Sequence, residues 1–281
     1  MPDALELYDR AAVRVVRTVG IRARSVAAPA GEVAFFDGAG RGALPTLVLQ
    51  HGLGAGNAAQ FLPLAAIALR DFRRVVCVDL PGHGQSPPLS RMVAHALYDS
   101  VAHVLDTETD GPLVLVGNSL GGAVMLEYAL QRPARAHALV LTSPAGAPCS
   151  EAEREETLRV FAMRSRDDAR EFFARVHRTP PVWSRFMAPG VVARFGAPHV
   201  QELVASFRDG LGFAPERLAA HRTPTLLAWG TDDRLLPASM LAWWKAHLPA
   251  KVEEPPWGHC PHLDDPVGFY RVMRGFARVP H

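Results

Sequence analysis

"GNSLGG", Gly117 to Gly122, follows the apolar run "PLVLV" and opens the apolar, helix-patterned stretch "LGGAVMLEYALQR". This is G-x-S-x-G in the strand, turn and helix setting that gives the pattern its meaning. The sharp turn holds a serine in a strained backbone conformation, and glycines at 117 and 121 let neighbouring chain pass where a Cβ would clash. Ser119 Oγ then projects at the carboxyl end of a sheet. The helix beginning at Leu120 aims its N-terminal amides, and the positive end of its dipole, at negative charge developing there. A plain glycine-rich turn explains the glycines but not a serine between them. A serine hydroxyl is a poor nucleophile at neutral pH, so this reading demands a base, and a third group to orient it, elsewhere in the chain.

Outward from this turn, short apolar runs alternate with segments of helical period: "PTLVLQHG", "AAQFLPLAAIALRDF", "RRVVCVDLPGHG", a helix around Val93 to Thr107, then "PLVLVGNS" and "AHALVLTSPAG". The runs are continuously apolar rather than alternating, which predicts strands buried on both faces of a parallel sheet with helices on each side, an α/β fold. The pattern resumes with "TPTLLAWGTDD", a helix around Ala238 to His247, the strand "KVEEPPWGH" and a last helix from Pro266 to Ala277. At the start, Ala4 to Val19 has helical spacing and "IRARSVAAPAGEVAFFDGAG" predicts an antiparallel hairpin. Between the sixth predicted strand and the seventh, the rhythm changes to charged helical segments interrupted by Pro180, Pro181, Pro189 and Pro198. The expected organisation is therefore a core of residues 1–146 and 223–281 with a helical lid at 147–222.

The chain of 281 residues is 48% hydrophobic, enough for a proper core, and its formal charge of +2 comes from arginines scattered without any like-charge block. Nothing in that distribution calls for nucleic acid. Cys77, Cys149 and Cys260 are odd in number and far apart, unlike a secreted disulfide framework, and fit a reducing compartment. "MPDALELYDRAAVRVVRTVG" has acidic residues where a signal peptide wants positive charge, and no apolar run is long enough to span a bilayer, so a cytoplasmic protein is expected.

"GAGNAA", with Gly54, Gly56 and Ala59, formally fits G-x-G-x-x-G/A after a strand, and Asp79 ends the next strand at about the distance of a ribose-binding acid. Against a dinucleotide site, the strand closes in His51-Gly52, which leaves extra residues before the glycines.

Four motifs in order, "HGLGAG", "DLPGHGQS", "GNSLGG" and the pair "GTDDRLLP" with "GHCPHLDDP", make the chain resemble the α/β-hydrolase superfamily over nearly its whole length outside the insertion. The resemblance implies the order serine, acid, histidine. Its G-x-x-D motif selects Asp233 over the adjacent Asp232, and its "GHxPH" motif selects His259 as base. It also implies oxyanion donors at the backbone N–H of Leu53, which follows the His-Gly pair, and of Leu120, which follows the nucleophile. Asp79, Gly82, His83 and His51 then become loop-shaping residues. The implied chemistry is acyl transfer to water from an ester, thioester or lactone, with no cofactor.

Serine at the elbow argues against the relatives that carry an aspartate there, the haloalkane dehalogenases and epoxide hydrolases. Carbon–carbon bond hydrolases of aromatic degradation share "GNSLGG" and a lid, but usually have a serine and glycine where this chain has Leu53-Gly54. An acyltransferase would use the same triad, and a ligand receptor with a vestigial site is the alternative outside catalysis. "WGHCPHLDD", Trp257 to Asp265, also invites a metal reading, but no second C-x-x-C or H-x-x-x-H pair exists to complete one. Cys260 reads as a small filler, His262 as a polar loop residue, and the acid before Pro266 as a helix cap. In the lid, Trp183, Phe186, Met187 and Phe195 are expected to line the substrate cleft. No arginine or lysine cluster stands out there, so the expected partner is an uncharged, mainly apolar small-molecule ester.

Overall fold

Eight strands form one sheet in the computed structural model, which describes residues 3–54, 57–209 and 212–279; Gly56 of the dinucleotide-like motif lies outside the described residues. The strands are β1 (Arg22–Ala28), β2 (Gly31–Ala39), β3 (Thr46–Gln50), β4 (Arg74–Val78), β5 (Leu113–Asn118), β6 (Ala136–Thr142), β7 (Thr225–Ala228) and β8 (Lys251–Glu253), in the spatial order β1-β2-β4-β3-β5-β6-β7-β8. The β1–β2 hairpin and the β2–β4 pairing are antiparallel, and all other pairs are parallel. Alternate residues of a central strand enter opposite cores: Leu113 and Leu115 pack on one side, Val114 and Val116 on the other. Both faces are dry, which is why the runs read as continuously apolar.

On one face lie α3 (Ala94–Glu108), α4 (Leu120–Gln131) and α10 (Ala238–His247); on the other lie α1 (Ala4–Thr18), α2 (Leu62–Ala68) and, after the single turn α11 (Pro261–Asp264), α12 (Pro266–Ala277). Strand order reverses at β3, where β4 and β5 flank it, and Gln50 stands beside Gly117 in the β3–β5 register. A crevice outside the carboxyl ends of strands that diverge this way is where open α/β sheets place their chemistry.

The segment after β6 holds α5 (Glu151–Phe161), α6 (Arg166–Val176), α7 (Ser184–Phe195), α8 (Pro198–Ser206) and α9 (Pro215–Ala219). Capping boxes, Ser150 with Glu153 and Ser165 with Asp168, start the first two helices. Leu158, Phe161, Phe173, Val191, Phe195 and Val200 form a third cluster, joined by Leu235 from the sheet domain.

Three sequence expectations need correction. Pro189 does not interrupt a helix but sits inside α7, where burial of Ala188, Val191 and Phe195 offsets the missing hydrogen bond. The last strand stops at Glu253, because Pro255 and Pro256 have no N–H for a ladder. The stretch "AAQFLPLAAIALRDF" divides into a 3₁₀ turn, Ala58–Phe61, and α2, with Pro63 in the first turn of the latter. No helix of the described residues is long and apolar enough to cross a membrane.

Candidate active site

Ser119 joins β5 to α4 with φ 56° and ψ −121°, and Ser143 is the other described non-glycine residue at positive φ. A Cβ on Gly117 would lie 2.3 Å from the Gly121 carbonyl oxygen, and one on Gly121 would lie 2.4 Å from that of His51, so both flanks of the turn must be glycine. The Ser119 N–H donates to Thr142 O (3.0 Å), while its carbonyl accepts from Gly122 (2.9 Å) and Ala145 (3.0 Å). These bonds hold the strain in place. Leu120 is the first residue of α4, so its N–H is among those the helix itself cannot pair.

His259 follows β8, and its Nδ1 lies 2.8 Å from Asp233 Oδ2. Asp233 Oδ1 accepts from the Leu235 N–H (2.9 Å) and the Leu236 N–H (3.2 Å). Burial alone would raise the Asp233 pKa. Attraction to His259, together with hydrogen bonds from His259, Ser143 and Leu235, instead holds it below the usual carboxylate range. An ionised carboxylate only accepts, so His259 Nδ1 carries a proton, and in the neutral ring Nε2 has the free lone pair. That Nε2 is buried and has no hydrogen-bond partner among the described residues. Asp232 points elsewhere, 3.4 Å from Arg178 and 3.6 Å from Arg234.

The histidines of the earlier motifs fix the loop that bears Leu53. His51 Nδ1 donates to Gly52 O (2.7 Å) and its Nε2 accepts from the Leu80 N–H (2.9 Å). His83 Nδ1 donates to Pro81 O (3.0 Å) and its Nε2 accepts from the Gly54 N–H (2.9 Å). Burial keeps both neutral, pushing His83 down to about 4 and His51 well below its ordinary value. The Asp79 carboxylate is occupied by the Ala58 N–H (2.7 Å) and the Gln85 N–H (2.9 Å), and its burial pushes the pKa up to about 6. It is a loop clamp rather than a ribose acceptor.

Ser119, His259, Leu53 and Gly52 open on a cavity of about 280 Å³ walled by Phe161, Phe172, Phe173, Val176, Val191 and Leu235. Of the four aromatic and sulfur side chains expected to line it, Trp183 and Met187 do; Phe186 and Phe195 do not. Phe186 is 58% exposed, with the Arg185 guanidinium over its ring. Phe195 is fully buried and packs against Gly54, whose added Cβ would lie 2.1 Å from the ring, so it braces the Leu53 loop. Leu5, Tyr8 and Asp9 of α1 also line the cavity, which sequence reasoning missed. Asp9 accepts from Asn57 (2.7 Å) and pairs with Arg194, tying α1 to both the oxyanion loop and α7. A wider cleft of about 640 Å³, also bordered by α1, has Glu6, Arg10, Arg14 and Arg194 in its lining and includes neither Ser119 nor His259.

The residues of "WGHCPHLDD" disperse to separate tasks. Asp265 caps α12 by accepting from the Gly268 N–H (2.8 Å), and Cys260 is half-buried, with desolvation raising its thiol pKa. His262 is not a loop-surface residue: it is buried, stacks on Phe61 at 4.1 Å, bonds Gln60 Oε1 through Nε2 (3.1 Å) and is pushed down to about 3 by that burial. Asp264 binds His177 and the Gly258 N–H. His262 closes the GHxPH pattern, but the pattern names no partner for it, so nothing there signalled the stacking on Phe61.

Residues 47–272 match the model of the alpha/beta hydrolase family. Among curated proteins, the chain is 31% identical over 212 residues to the dihydrolipoyllysine-residue acetyltransferase component of the acetoin cleaving system of Pseudomonas putida, covering 73% of this chain. It spans only 56% of that relative's length. Against the pimeloyl-[acyl-carrier protein] methyl ester esterase of Aeromonas hydrophila it is 29% identical over 251 residues, 83% of this chain and 95% of the relative. The crystal structure of carboxylesterase CesB from Bacillus subtilis superposes with a TM-score of 0.78 at 21% identity, covering 97% and 98% of the two chains, a likeness of fold.

Proposed function

The chain belongs to the alpha/beta hydrolase family, and from that footing we propose that it is a serine hydrolase cleaving a carboxylic ester, thioester or lactone of an uncharged, mainly apolar substrate. The observation that carries this reading is His259: Nδ1 is tied to an ionised Asp233 and Nε2 is unpartnered in the same cavity as the elbow serine. In this mechanism Ser119 Oγ attacks the carbonyl carbon and His259 Nε2 takes its proton. The tetrahedral oxyanion is held by the Leu53 and Leu120 N–H groups. His259 returns the proton to the departing alkoxide, leaving an acyl-Ser119 ester. Water activated by the same imidazole then hydrolyses that ester and frees the serine. Asp233 keeps the imidazole in the required tautomer throughout.

The helical segment, residues 147–222, acts as the lid over this cavity, with Trp183 and Met187 facing substrate. An uncharged substrate is supported by the wall, where no arginine or lysine is found among the described residues and the one carboxylate, Asp9, is already paired with Arg194. Three free cysteines fit action in the reducing cytoplasm. The test is a panel of p-nitrophenyl esters of increasing acyl length with fluorophosphonate labelling. Turnover of neutral esters with stoichiometric label on Ser119 is expected. Label on another residue, or no turnover of any ester, would overturn the reading.

A further inference from the structure

The helical segment carries a second imidazole that the proposed chemistry leaves unused. His177 follows α6, is 3% exposed, and lines the cavity that holds Ser119 and His259. Its Nδ1 lies 2.7 Å from Asp264 Oδ1. Asp264 Oδ2 in turn accepts the N–H of Gly258 (2.8 Å) and of Arg178 (3.0 Å). Burial works against the charge of Asp264, but the bonds from His177, Arg178 and Gly258 hold its pKa below the usual carboxylate range. The carboxylate can only accept, so the His177 Nδ1 carries the proton and Nε2 is the nitrogen left over.

The ring is held from both sides. Phe173 stacks on it with centroids 6.1 Å apart, and Trp183 meets it edge-on at 6.4 Å. His177, Trp183 and Leu263 are also shared with an adjoining cleft of about 330 Å³, so the imidazole stands where cavity and cleft meet. Unlike His259 Nε2 and His262 Nδ1, which are sealed and unpartnered, His177 Nε2 is not among the sealed unpartnered atoms and bonds no group among the described residues. Asp264 fixes its distance from the reaction, because the same carboxylate holds the residue preceding His259.

We propose that His177 is a specificity-determining residue, its Nε2 recognising a hydroxyl on the substrate remote from the scissile carbonyl. The reasoning is one of pairing. A hydroxyl donates to the lone pair of a neutral imidazole and accepts from the N–H of an imidazolium, so it fits Nε2 in either protonation state. A ketone fits only the cation, and an amide N–H only the neutral ring. Phe172, Phe173, Val176 and Leu235 make the neighbouring wall apolar, so one such contact sorts hydroxylated from plain chains. This inference rests on the serine-esterase reading for what the cavity holds.

Binding separates the two ideas, because it needs no turnover. In Ser119→Ala, methyl hexanoate and the four isomeric derivatives hydroxylated at C3, C4, C5 or C6 are titrated by NMR. At least one isomer should bind roughly three- to tenfold more tightly than methyl hexanoate, the range of one net hydrogen bond. Adding His177→Asn keeps an amide donor for Asp264 but offers nothing at the Nε2 position, so the ratio of the two Kd values should collapse to about one. His177→Gln, whose amide reaches that position, should restore part of it. No preferred isomer, a ratio that survives His177→Asn, or equal weakening of both ligands would overturn the proposal. A retained preference with no ester turnover by the wild type would instead remove the esterase reading and leave His177 standing.

Discussion

Asn118 donates its side-chain amide to the backbone carbonyl of His259 at 2.8 Å, so the residue before the elbow serine tethers the loop carrying the imidazole. The same amide reaches Thr142 O at 3.2 Å, which locks it to the end of β6. Serine and histidine come from turns 140 positions apart, and this side chain links the two directly. Asn118→Ala should lower kcat by about ten- to a hundredfold, the cost of a small misplacement of a reacting group, with KM changed far less. An unaltered kcat would show that the Cys260 N–H to Val176 O bond (3.3 Å) suffices to hold the loop.

The strain at Ser119 makes a paired prediction. Ser119→Ala should reduce kcat by on the order of 10³-fold or more, because the proposed triad acts as a unit. Ser119→Gly should be equally inactive yet more stable by about 1 kcal/mol, since glycine adopts φ 56° without the penalty. Urea titration of the two variants checks the second half. A glycine variant less stable than the alanine one would mean that the turn is not strained by its side chain.

Asp232 and Asp233 are adjacent in sequence and opposite in setting. Asp233→Asn removes the acceptor that fixes the His259 tautomer, and kcat should fall by about 10⁴-fold. Asp232 is a partly exposed partner of Arg178 and Arg234, so Asp232→Asn should alter kcat less than about threefold. Equal losses in the two variants would refute the assignment.

What the sequence carries is local. The elbow is legible because backbone crowding dictates glycine at 117 and 121, and the buried strands because both their faces are dry. The helix bounds Ala238 to His247 and Pro266 to Ala277 follow from turn residues and the Asp265 cap. What it does not carry is which distant surfaces meet. Leu5, Tyr8 and Asp9 read as one face of an ordinary amphipathic helix; nothing in that face announces the partners, Asn57 and Arg194 among them, that place it at the cavity. Phe186 and Phe195 look alike in a stretch rich in proline and glycine, yet one faces solvent and the other supports Gly54. His177 has no flanking motif, because its partner lies 87 positions later.

Acid should weaken the fold, and the sign follows from which state holds more protons. Burial depresses His51, His83, His221 and His262 below the ordinary 6.5, with His83 at about 4 and His262 at about 3. Between those values and 6.5 the unfolded chain binds protons that the folded chain refuses, so stability is lost as pH falls through that window. At ~1.4 kcal/mol per pH unit, His83 alone accounts for a loss growing to about 3 kcal/mol below pH 4. Asp79, raised to about 6, acts oppositely, since its penalty is relieved on acidification, but it is one group against four. The urea midpoint should change little from pH 7.5 to about 6.5 and then fall towards pH 5. A flat or rising profile would contradict this balance.

The aromatic residues of the helical segment offer a three-way comparison in which each side chain has a different task. Trp183 is 46% exposed yet lines the cavity and meets His177, so Trp183→Ala should change kcat/KM for long-chain against short-chain esters by about tenfold. Phe186 is exposed and does not itself line the cavity, so Phe186→Ala should leave that ratio within a factor of two. Phe195 is buried in the segment's own core and against Gly54, so Phe195→Ala should cost about 3–5 kcal/mol of stability. Gly54 shares its N–H with His83, and loosening it frees the Leu53 amide, so any folded Phe195→Ala enzyme should lose kcat for every ester alike rather than change its preference. Chain-length profiles of the three variants beside thermal melts decide the matter. A selectivity change in Phe186→Ala, or a Phe195→Ala enzyme that keeps full kcat, would mean that these side chains act by another route.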